Sequence, residues 1–328
     1  MGTARHSASD AALARRDIDR WARRRGYRAA AAGIEALDAV REALEKRRRR
    51  GEFAPGFFEE NLSSFAYLAG TALRAPRSVI VVAIPAPVHT LLFETGDGRM
   101  ETVIPPTYLS YRPAFERIRR EIAAELLGGD DGIELLKAPY KSLAVGVGLA
   151  LYGRNNVTYV PGLGSYVQLA AYVLDRSTDA PRPFLGIERR LDRCSACRAC
   201  VLACPMGAIG EDRFLIRADR CYTLMSESAR PIPEDVRPPS PDCLVGCLRC
   251  QVVCPENKGV LRKEAAPVSF TSAETAAFLG DPEAAPEGLR RSIREKFEIM
   301  AMSEDIPIFR RNLIVLLRWR AWEAGGRP

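Results

Sequence analysis

The chain has 328 residues, of which 47% are hydrophobic and 27% charged, and its formal net charge is +7. This composition is ordinary for a soluble globular protein with room for two or three domains. No stretch approaches the apolar length of a membrane span, and residues 1–10 carry no signal-type apolar run. We therefore expect neither export nor membrane insertion, but a cytoplasmic protein whose cysteines stay reduced. The basic charge is compatible with nucleic acid or another anionic partner.

The first predicted elements are helical. Residues 10–50 carry apolar side chains at helical intervals amid alanine and arginine. The run Arg47–Arg50, just before Gly51, is interpreted as the solvated cationic end of a helix. Ser78–Pro85 is a β-branched run closed by proline, which predicts a buried strand.

The following segments alternate between helix and strand without any sequence repeat. They are a helix at Tyr111–Leu127, a glycine-weakened helix at Tyr140–Leu151, a strand at Val157–Val160, the loop Pro161–Ser165, the apolar stretch Tyr166–Leu174 and helices after Pro267. No Gly-x-Gly-x-x-Gly motif follows a strand, so a nucleotide-binding Rossmann unit is not supported. The predicted fold class is α+β.

Two cysteine runs carry the clearest chemical signal. The first consists of Cys194, Cys197, Cys200 and Cys204 followed by Pro205, and the second of Cys247, Cys250 and Cys254 followed by Pro255. This is the spacing with which a bacterial ferredoxin-type module holds two 4Fe–4S clusters. A cubane cluster needs four thiolates, and a loop with a cysteine at every third residue can supply three of them.

The fourth ligand of each cluster must come from elsewhere in the chain. In two-cluster modules the cysteine before proline ligates the other cluster. One cluster is then predicted to take Cys194, Cys197, Cys200 and Cys254, and the other to take Cys204, Cys247, Cys250 and one further thiolate. Cys221 and Cys243 compete for that last place. Cys221, which follows the strand-like stretch Phe214–Ile216, is preferred, and Cys243 is then a spare thiol or a packing residue.

Zinc sites and disulfides are the alternatives for these cysteines, but neither predicts the observed spacing before proline. The cluster interpretation divides the chain into three parts. Residues 1–185 form the α+β domain, residues 186–262 the two-cluster module with a proline-rich linker at 226–242, and residues 263–328 a C-terminal helical segment.

The glycine-rich stretch Gly148–Ser165, followed by Asp219-Arg220-Cys221 and the second cysteine run, resembles epoxyqueuosine reductase. The resemblance covers roughly residues 75–260 and extends distantly to the reductive dehalogenases. It implies a nitroreductase-like N-terminal α+β domain and a cobalamin bound between this domain and the ferredoxin module. The clusters would then pass single electrons to cobalt.

The resemblance also implies a set of cofactor-binding residues. They are Arg154, Asn155, Asn156, Gly164, Ser165 and Tyr166. The histidines are His6 and His89, and neither lies in an Asp-x-His-x-x-Gly motif, so no histidine ligand to cobalt is expected. Gly164 and Ser165 would let the backbone approach a planar macrocycle, because glycine has no Cβ. The alternative for this pair is a tight turn between a strand and a helix.

The general acid of the family is an aspartate at a fixed distance before the glycine-rich stretch. Counting back without gaps gives Glu134, with Asp130 and Asp131 nearby and Lys137 where proline is expected. The longer side chain would move the proton by about one methylene, and misplacement by about 1 Å affects rate. An exposed carboxylate at a helix start is the alternative. Three tyrosines are further candidates for the proton donor: Tyr108, Tyr111 and Tyr152.

The leading hypothesis is an iron–sulfur reductase that depends on cobalamin and takes electrons from an external low-potential donor. Its substrate would be a small molecule or a modified nucleoside. A tRNA substrate is less expected, because the segment Ile306–Leu313 resembles the start of a helical-repeat region that does not follow here. The alternatives are a ferredoxin-like electron-transfer protein without corrinoid and a reductive dehalogenase-like enzyme.

Overall fold

The structure is a computed structural model that describes residues 12–96, 98–129, 132–179, 181–280, 284–323 and 325. The chain divides into two compact units. The first contains the residues up to Pro85, together with Pro113–Cys197 and Glu211–Leu215. The second contains Ala86–Arg112, Arg198–Gly210 and the chain from Ile216 onward. Both units mix helices and strands, so the predicted α+β class is confirmed. The three-part division of the sequence stays a prediction.

The elements are numbered along the chain. The helices are α1 (Arg15–Arg24), α2 (Glu35–Arg49), α3 (Phe57–Asn61), α4 (Tyr111–Glu125), α5 (Tyr140–Gly146), α6 (Ala199–Leu202), α7 (Tyr222–Glu227), α8 (Arg249–Val252), α9 (Ser272–Leu279), α10 (Glu287–Ile299) and α11 (Ile306–Glu323). The strands are β1 (Arg28–Gly33), β2 (Ser78–Pro85), β3 (Val88–Thr95), β4 (Gly98–Ile104), β5 (Ile133–Leu135), β6 (Leu151–Tyr152), β7 (Thr158–Tyr159), β8 (Val167–Leu174) and β9 (Lys263–Phe270).

The first unit is built on an antiparallel sheet with the strand order β1-β2-β8-β5. Strand β2 has the predicted bounds, and all of its residues except Pro85 are buried. It pairs with β8 from Ser78 opposite Leu174 to Pro85 opposite Val167. Since β-branched residues suit a buried pleated surface, Val79 and Val81 pack into the core of this unit with helices α2 and α5.

The prediction of continuous helix over residues 10–50 is wrong, because β1 interrupts it. Helix α1 ends at Arg24, and Gly26 has a φ of 72°, which reverses the chain. The alanine-rich segment Arg28–Gly33 then pairs along its whole length with β2. Alanine favours helix intrinsically, but ladder hydrogen bonds and burial against β2 override that weak preference.

Three further boundaries differ from the predictions. Helix α5 ends at Gly146 instead of Leu151, because Gly148 has a φ of 75° and Leu151–Tyr152 forms the short hairpin β6–β7. The apolar stretch before Leu174 is strand β8, so the turn at Gly164 joins two strands and not a strand and a helix. The stretch Phe214–Ile216 is irregular and not a strand, and the Phe214 ring contacts the side chains of Arg47 and Arg190.

The second unit contains the sheet β4-β3-β9, in which β3 pairs antiparallel with β4 and parallel with β9. Strand β9 runs through Pro267 to Phe270, so helix begins later than predicted. The register shifts between Thr90 and Leu92, at the level of this proline, which cannot donate a ladder hydrogen bond. None of the helices in the described ranges is long and apolar enough to cross a membrane.

The core of the second unit is aromatic and lies between its sheet and helices α9, α10 and α11. Phe270 and Phe93 stack with ring centroids 4.8 Å apart, and Phe297 lies 5.8 Å from Phe309. Phe278 completes this cluster, and each of the five rings is at most 1% exposed. Leu313 and Leu316 of α11 join the same core, so the last helix packs on the body of the unit.

Candidate metal centre

None of the nine cysteines forms a disulfide bond. Cys200 and Cys243 are buried, and the others are half-buried. Within the described ranges, no three His, Cys, Asp or Glu side chains converge on a point where they could hold a single metal ion.

The second cysteine run is shaped by two residues with left-handed backbone. Gly246 has a φ of 75° and Leu248 a φ of 60°, so the chain turns sharply on both sides of Cys247. A Cβ on Gly246 would lie 3.2 Å from Pro105 Cγ and 3.4 Å from the Tyr108 hydroxyl. The glycine is therefore needed both for its backbone angle and for its small size.

Within the second unit, Arg249 ties the second run to the end of the first. Its Nε donates to the Ala203 carbonyl at 3.4 Å, and its Nη1 donates to the Pro239 carbonyl at 3.0 Å. Ala203 directly precedes Cys204. This contact brings together the part of the chain that contains Cys204 and the part that contains Cys250.

Cys247 lies within electrostatic range of two other predicted ligands. Burial raises the pKa of its thiol, and the thiols of Cys221 and Cys204 raise it further. The backbone of Arg249 and the Ser240 hydroxyl act in the opposite direction by hydrogen bonding. Three of the four thiols predicted for one cluster therefore lie in one neighbourhood, whose sulfur atoms repel one another as anions until a cation compensates them.

Cys243 is in a different environment from Cys221. It is only 2% exposed, and its Sγ donates to the Val245 carbonyl at 3.0 Å. Burial raises the pKa of this thiol well above its ordinary value, with a further contribution from Cys247. Cys221 is half-buried at the start of helix α7. A buried thiol that donates a hydrogen bond suits packing, whereas a metal ligand must be a thiolate.

Glu134 lies in the middle of strand β5, opposite Val173 of β8, and not at the start of a helix. Its carboxylate accepts a hydrogen bond from Thr71 Oγ1 at 2.7 Å. The backbone N–H of Ala72 donates to the same oxygen at 3.0 Å. Both the strand and these donors fix the direction of the carboxylate. Asp130 and Asp131 lie outside the described residues.

Two of the predicted cofactor-binding side chains make hydrogen bonds within the first unit. Arg154 is 7% exposed, and its Nη1 donates to the Glu211 carbonyl at 3.2 Å while its Nη2 donates to the Cys194 carbonyl. Asn155 donates to the Tyr159 hydroxyl at 3.0 Å. Arg154 thus fixes the backbone of the first predicted cluster ligand, a role that spacing alone did not indicate.

The remaining predicted cofactor residues lie around the β7–β8 turn. Gly164 has a φ of 64° and exchanges two backbone hydrogen bonds with Val160. Ser165 and Tyr166 are buried, and Asn156 is half-buried with a φ of 58°. The sequence correctly placed a tight glycine turn here. Its role in binding a cofactor stays a prediction.

The candidate tyrosines differ in their surroundings. Tyr152 is buried beside Ser142, with an oxygen–oxygen distance of 3.3 Å, and burial is the main cause that raises its pKa to about 12. The Tyr108 hydroxyl donates to Glu227, and burial with this carboxylate raises its pKa well above the ordinary value. Tyr111 lies at the start of α4 and accepts from Arg112 Nε at 3.1 Å. The hydroxyl groups of Tyr108 and Tyr152 are therefore weaker acids than that of an ordinary tyrosine.

An open cavity of about 370 Å³ lies in the second unit beside the second cysteine run. Cys247 lines it together with Arg249 and Lys263. Val252 and Val253, which also line it, are 59% and 42% exposed. The cavity thus opens to solvent beside the half-buried Cys247.

Comparison with known proteins places these residues in a family. Residues 193–257, which contain all nine cysteines, match the 4Fe-4S double cluster binding domain. An epoxyqueuosine reductase of Bacillus subtilis is 34% identical over 120 residues, which are 36% of this chain and 29% of the relative. An uncharacterized protein encoded in the gldA 3′ region of Geobacillus stearothermophilus is 32% identical over 170 residues, which are 48% of this chain and 69% of that protein. The chain belongs to the epoxyqueuosine reductase-like family.

The fold of this family extends over most of the chain. A crystal structure of epoxyqueuosine reductase with an epoxyqueuosine-modified tRNA-Tyr stem loop matches with a TM-score of 0.65 and 19% identity, covering 92% of this chain and 80% of that one. At this identity the match shows a shared fold. In sequence, the chain spans less than a third of the length of the Bacillus subtilis enzyme.

Proposed function

We propose that this member of the epoxyqueuosine reductase-like family is an iron–sulfur reductase that passes electrons from an external donor through two 4Fe–4S clusters to cobalamin and then to substrate. The observation that carries the proposal is the double-cluster match over residues 193–257. The residues present fit two clusters, because thiolates are the ligands that iron–sulfur clusters take and Cys247 has Cys204 and Cys221 as neighbours.

The first cluster would be held by Cys194, Cys197, Cys200 and Cys254. The second would be held by Cys204, Cys221, Cys247 and Cys250. We assign Cys221 and not Cys243 to the second cluster, because Cys243 is buried and its thiol donates a hydrogen bond to the Val245 carbonyl. An open cavity lies at Cys247, and we infer that an external low-potential donor reduces the second cluster there.

We infer that the β7–β8 turn of the first unit would lie against the cofactor. Gly162, at the exposed tip of the β7–β8 turn, has a φ of 77°, and a Cβ placed on it would meet nothing nearer than Arg28 Nη2 at 3.5 Å. A macrocycle could therefore approach the backbone of Gly162 closely. When bound, cobalamin supplies a low-valent cobalt as the reductant.

Glu134 is the residue that we propose holds the proton needed when a substrate C–O bond is reduced. Thr71 and the Ala72 N–H orient its carboxylate. An oriented general acid typically contributes about 10²–10⁴-fold to rate. The substrate class proposed is a modified nucleoside, with an epoxyqueuosine-containing tRNA as the first to test. A net charge of +7 favours such a polyanion.

Anaerobic reconstitution with iron, sulfide and hydroxocobalamin, followed by gel filtration and metal analysis, tests this proposal. Two cubanes and one corrinoid require about eight irons and one cobalt per chain. Glu134→Gln should then keep both metals and lose turnover of the modified tRNA by about 10²-fold or more. The matched control is Glu42→Gln, which changes an exposed carboxylate on helix α2 of the same unit and should retain activity.

A second candidate function is electron transfer without corrinoid. It is favoured by one observation, namely that the Arg154 and Asn155 side chains already donate to groups within the first unit. Eight irons per chain without retained cobalt would support this electron carrier and contradict the reductase.

A further inference from the structure

A buried arginine lies where the sequence suggested a solvated helix end. Arg47 is 2% exposed, so the solvated interpretation of the four-arginine run is wrong for this residue. Its Nη1 lies 2.7 Å from Glu52 Oε2 and its Nη2 lies 2.9 Å from Glu188 Oε1. Its guanidinium carbon lies 4.4 Å from the centroid of the Phe214 ring. A buried cation needs such partners, because desolvation is costly.

A second arginine stacks on the same ring. The guanidinium carbon of Arg190 lies 4.7 Å from the Phe214 centroid, and its Nη2 donates to the Arg213 carbonyl at 2.6 Å. Arg190 is close enough to Arg47, Arg154 and Cys194 for each of them to act on its charge. We name Arg47, Arg154 and Arg190 the arginine cluster. All three belong to the first unit, as do Phe214 and Cys194.

The arginine cluster contacts the first predicted ligand directly. Arg154, which is 7% exposed, donates from Nη2 to the carbonyl oxygen of Cys194. Arg154 Nη1 donates a hydrogen bond to the Glu211 carbonyl. The carboxylates paired with the three guanidinium groups are those of Glu52 and Glu188, both on Arg47. Glu188 also acts on the charge of Arg190, so three guanidinium groups stand against two carboxylates and the arginine cluster keeps a net positive charge.

Positive charge at this place has a definite effect on an iron–sulfur cluster. When the cluster takes up one electron, its net charge becomes more negative by one unit. A nearby buried cation stabilises that reduced state, because Coulomb interactions are strong where water is excluded. Cluster potentials are known to respond to local charge, hydrogen bonding and solvent exposure.

We propose that the arginine cluster is a positioning and tuning device that raises the reduction potential of the cluster ligated by Cys194. The proposal rests on the ligand assignment under the proposed function. A higher potential at this cluster would give electron transfer a direction. Electrons that enter at the second cluster, beside the open cavity at Cys247, would move to the cluster ligated by Cys194. Arg154 acts through the Cys194 backbone and its own charge, and does not itself react.

An EPR-monitored redox titration of the reconstituted full chain, with dithionite as the electron source, tests the proposal. Arg154→Gln removes the charge and should move one of the two reduction steps to a more negative potential while the other stays in place. Arg154→Lys keeps the charge and should leave that step closer to its original potential. The control is Arg48→Gln, which changes an exposed member of the same arginine run, paired with Glu45 and Glu59, and should move neither step.

Iron analysis of the same samples separates the possible failures. Fewer than about eight irons in the unmodified chain would overturn the two-cluster assignment itself. Full iron content with no shift in Arg154→Gln, or an equal shift of both steps, would overturn the tuning role alone. If Arg154→Gln loses iron through misfolding, Arg190→Gln is the alternative variant. It removes a charge from the arginine cluster and keeps the hydrogen bond from Arg154 to the Cys194 carbonyl. It should shift the same step, because the Cys194 thiol acts on the charge of Arg190, and no shift would overturn the proposal.

Discussion

Two regions of the second unit are built in opposite ways. Around Cys204, Cys221 and Cys247 the chain is mostly irregular, with helices of four to six residues and half-buried thiols. Around Phe93 and Phe297 it forms a sheet and three longer helices over a fully buried aromatic core. The first region has little apolar burial of its own, and we expect the proposed clusters to contribute to its order. The second depends on the exclusion of water.

The largest effect is expected when one cysteine of this region is replaced by serine. Cys221→Ser should lose about half of the reconstituted iron, because one cubane lacks its fourth thiolate, and turnover should fall to background. Cys243→Ser should keep the full iron content, since its thiol only donates to Val245. Iron and sulfide analysis of the purified variants decides the matter, and the opposite pattern would assign the ligand to Cys243.

The aromatic core should respond in free energy and not in metal content. Phe297→Ala removes a ring with no exposed surface that packs against Phe278 at 5.5 Å. We expect the free energy of unfolding to fall by about 3–5 kcal/mol, with iron retained under native conditions. Urea unfolding of the reconstituted chain measures this loss. In the same helix, Ile299→Ala changes a side chain that is 58% exposed, and it should cost less than about 0.5 kcal/mol.

The helices over the aromatic core also contain a buried ion pair that makes this region sensitive to acid. Burial opposes ionisation of Glu274, but hydrogen bonds from Lys296, Ser292 and Thr271 outweigh it and lower its pKa to about 2. Its Oε1 lies 2.6 Å from Lys296 Nζ. Because the folded pKa lies below the unfolded value of 4.5, the pair stabilises the fold above pH 4.5. This stability, roughly 2 kcal/mol, is lost as the pH falls towards 2.

Urea unfolding at a series of pH values from 6 to 3 measures that dependence. Glu274→Gln should lower stability at pH 6 and flatten the profile between pH 4.5 and 3. Glu298→Gln, which changes an exposed carboxylate in helix α10, should leave the profile unchanged. A slope that persists in Glu274→Gln would show that another group is responsible.

The smallest effect expected lies back in the cysteine region, at Gly246. Gly246→Ala places a methyl group 3.2 Å from Pro105 Cγ at a φ of 75°. The left-handed backbone alone costs about 1 kcal/mol for a non-glycine residue. Gly259→Ala is the matched control, since it has a φ of 80° but no atom within 4 Å of the new Cβ. In the reconstituted chain, Gly246→Ala should therefore lower the melting temperature more than Gly259→Ala does. Equal melting temperatures of the two variants would show that the contact with Pro105 has no effect on stability.

The sequence predicted best what depends on short-range spacing. The bounds of Ser78–Pro85 and the two-cluster domain followed from local pattern alone. It failed at Arg28–Gly33, because pairing with β2 overrides the helix preference of alanine. It also failed at Arg47, because the partners Glu188 and Phe214 come from distant parts of the chain. Such partners leave no periodic signal in a sequence.

The parallel pairing of β3 with β9 bears on how the protein is made. The chain between Val88 and Lys263, which are partners in this pairing, contains every cysteine. All nine cysteines are therefore synthesised before strand β9 can pair with β3. Until then the hairpin β3–β4 has an open edge, and closing so long a loop is slow. The eight thiols proposed to bind clusters are thus all synthesised before the sheet of the second unit is complete.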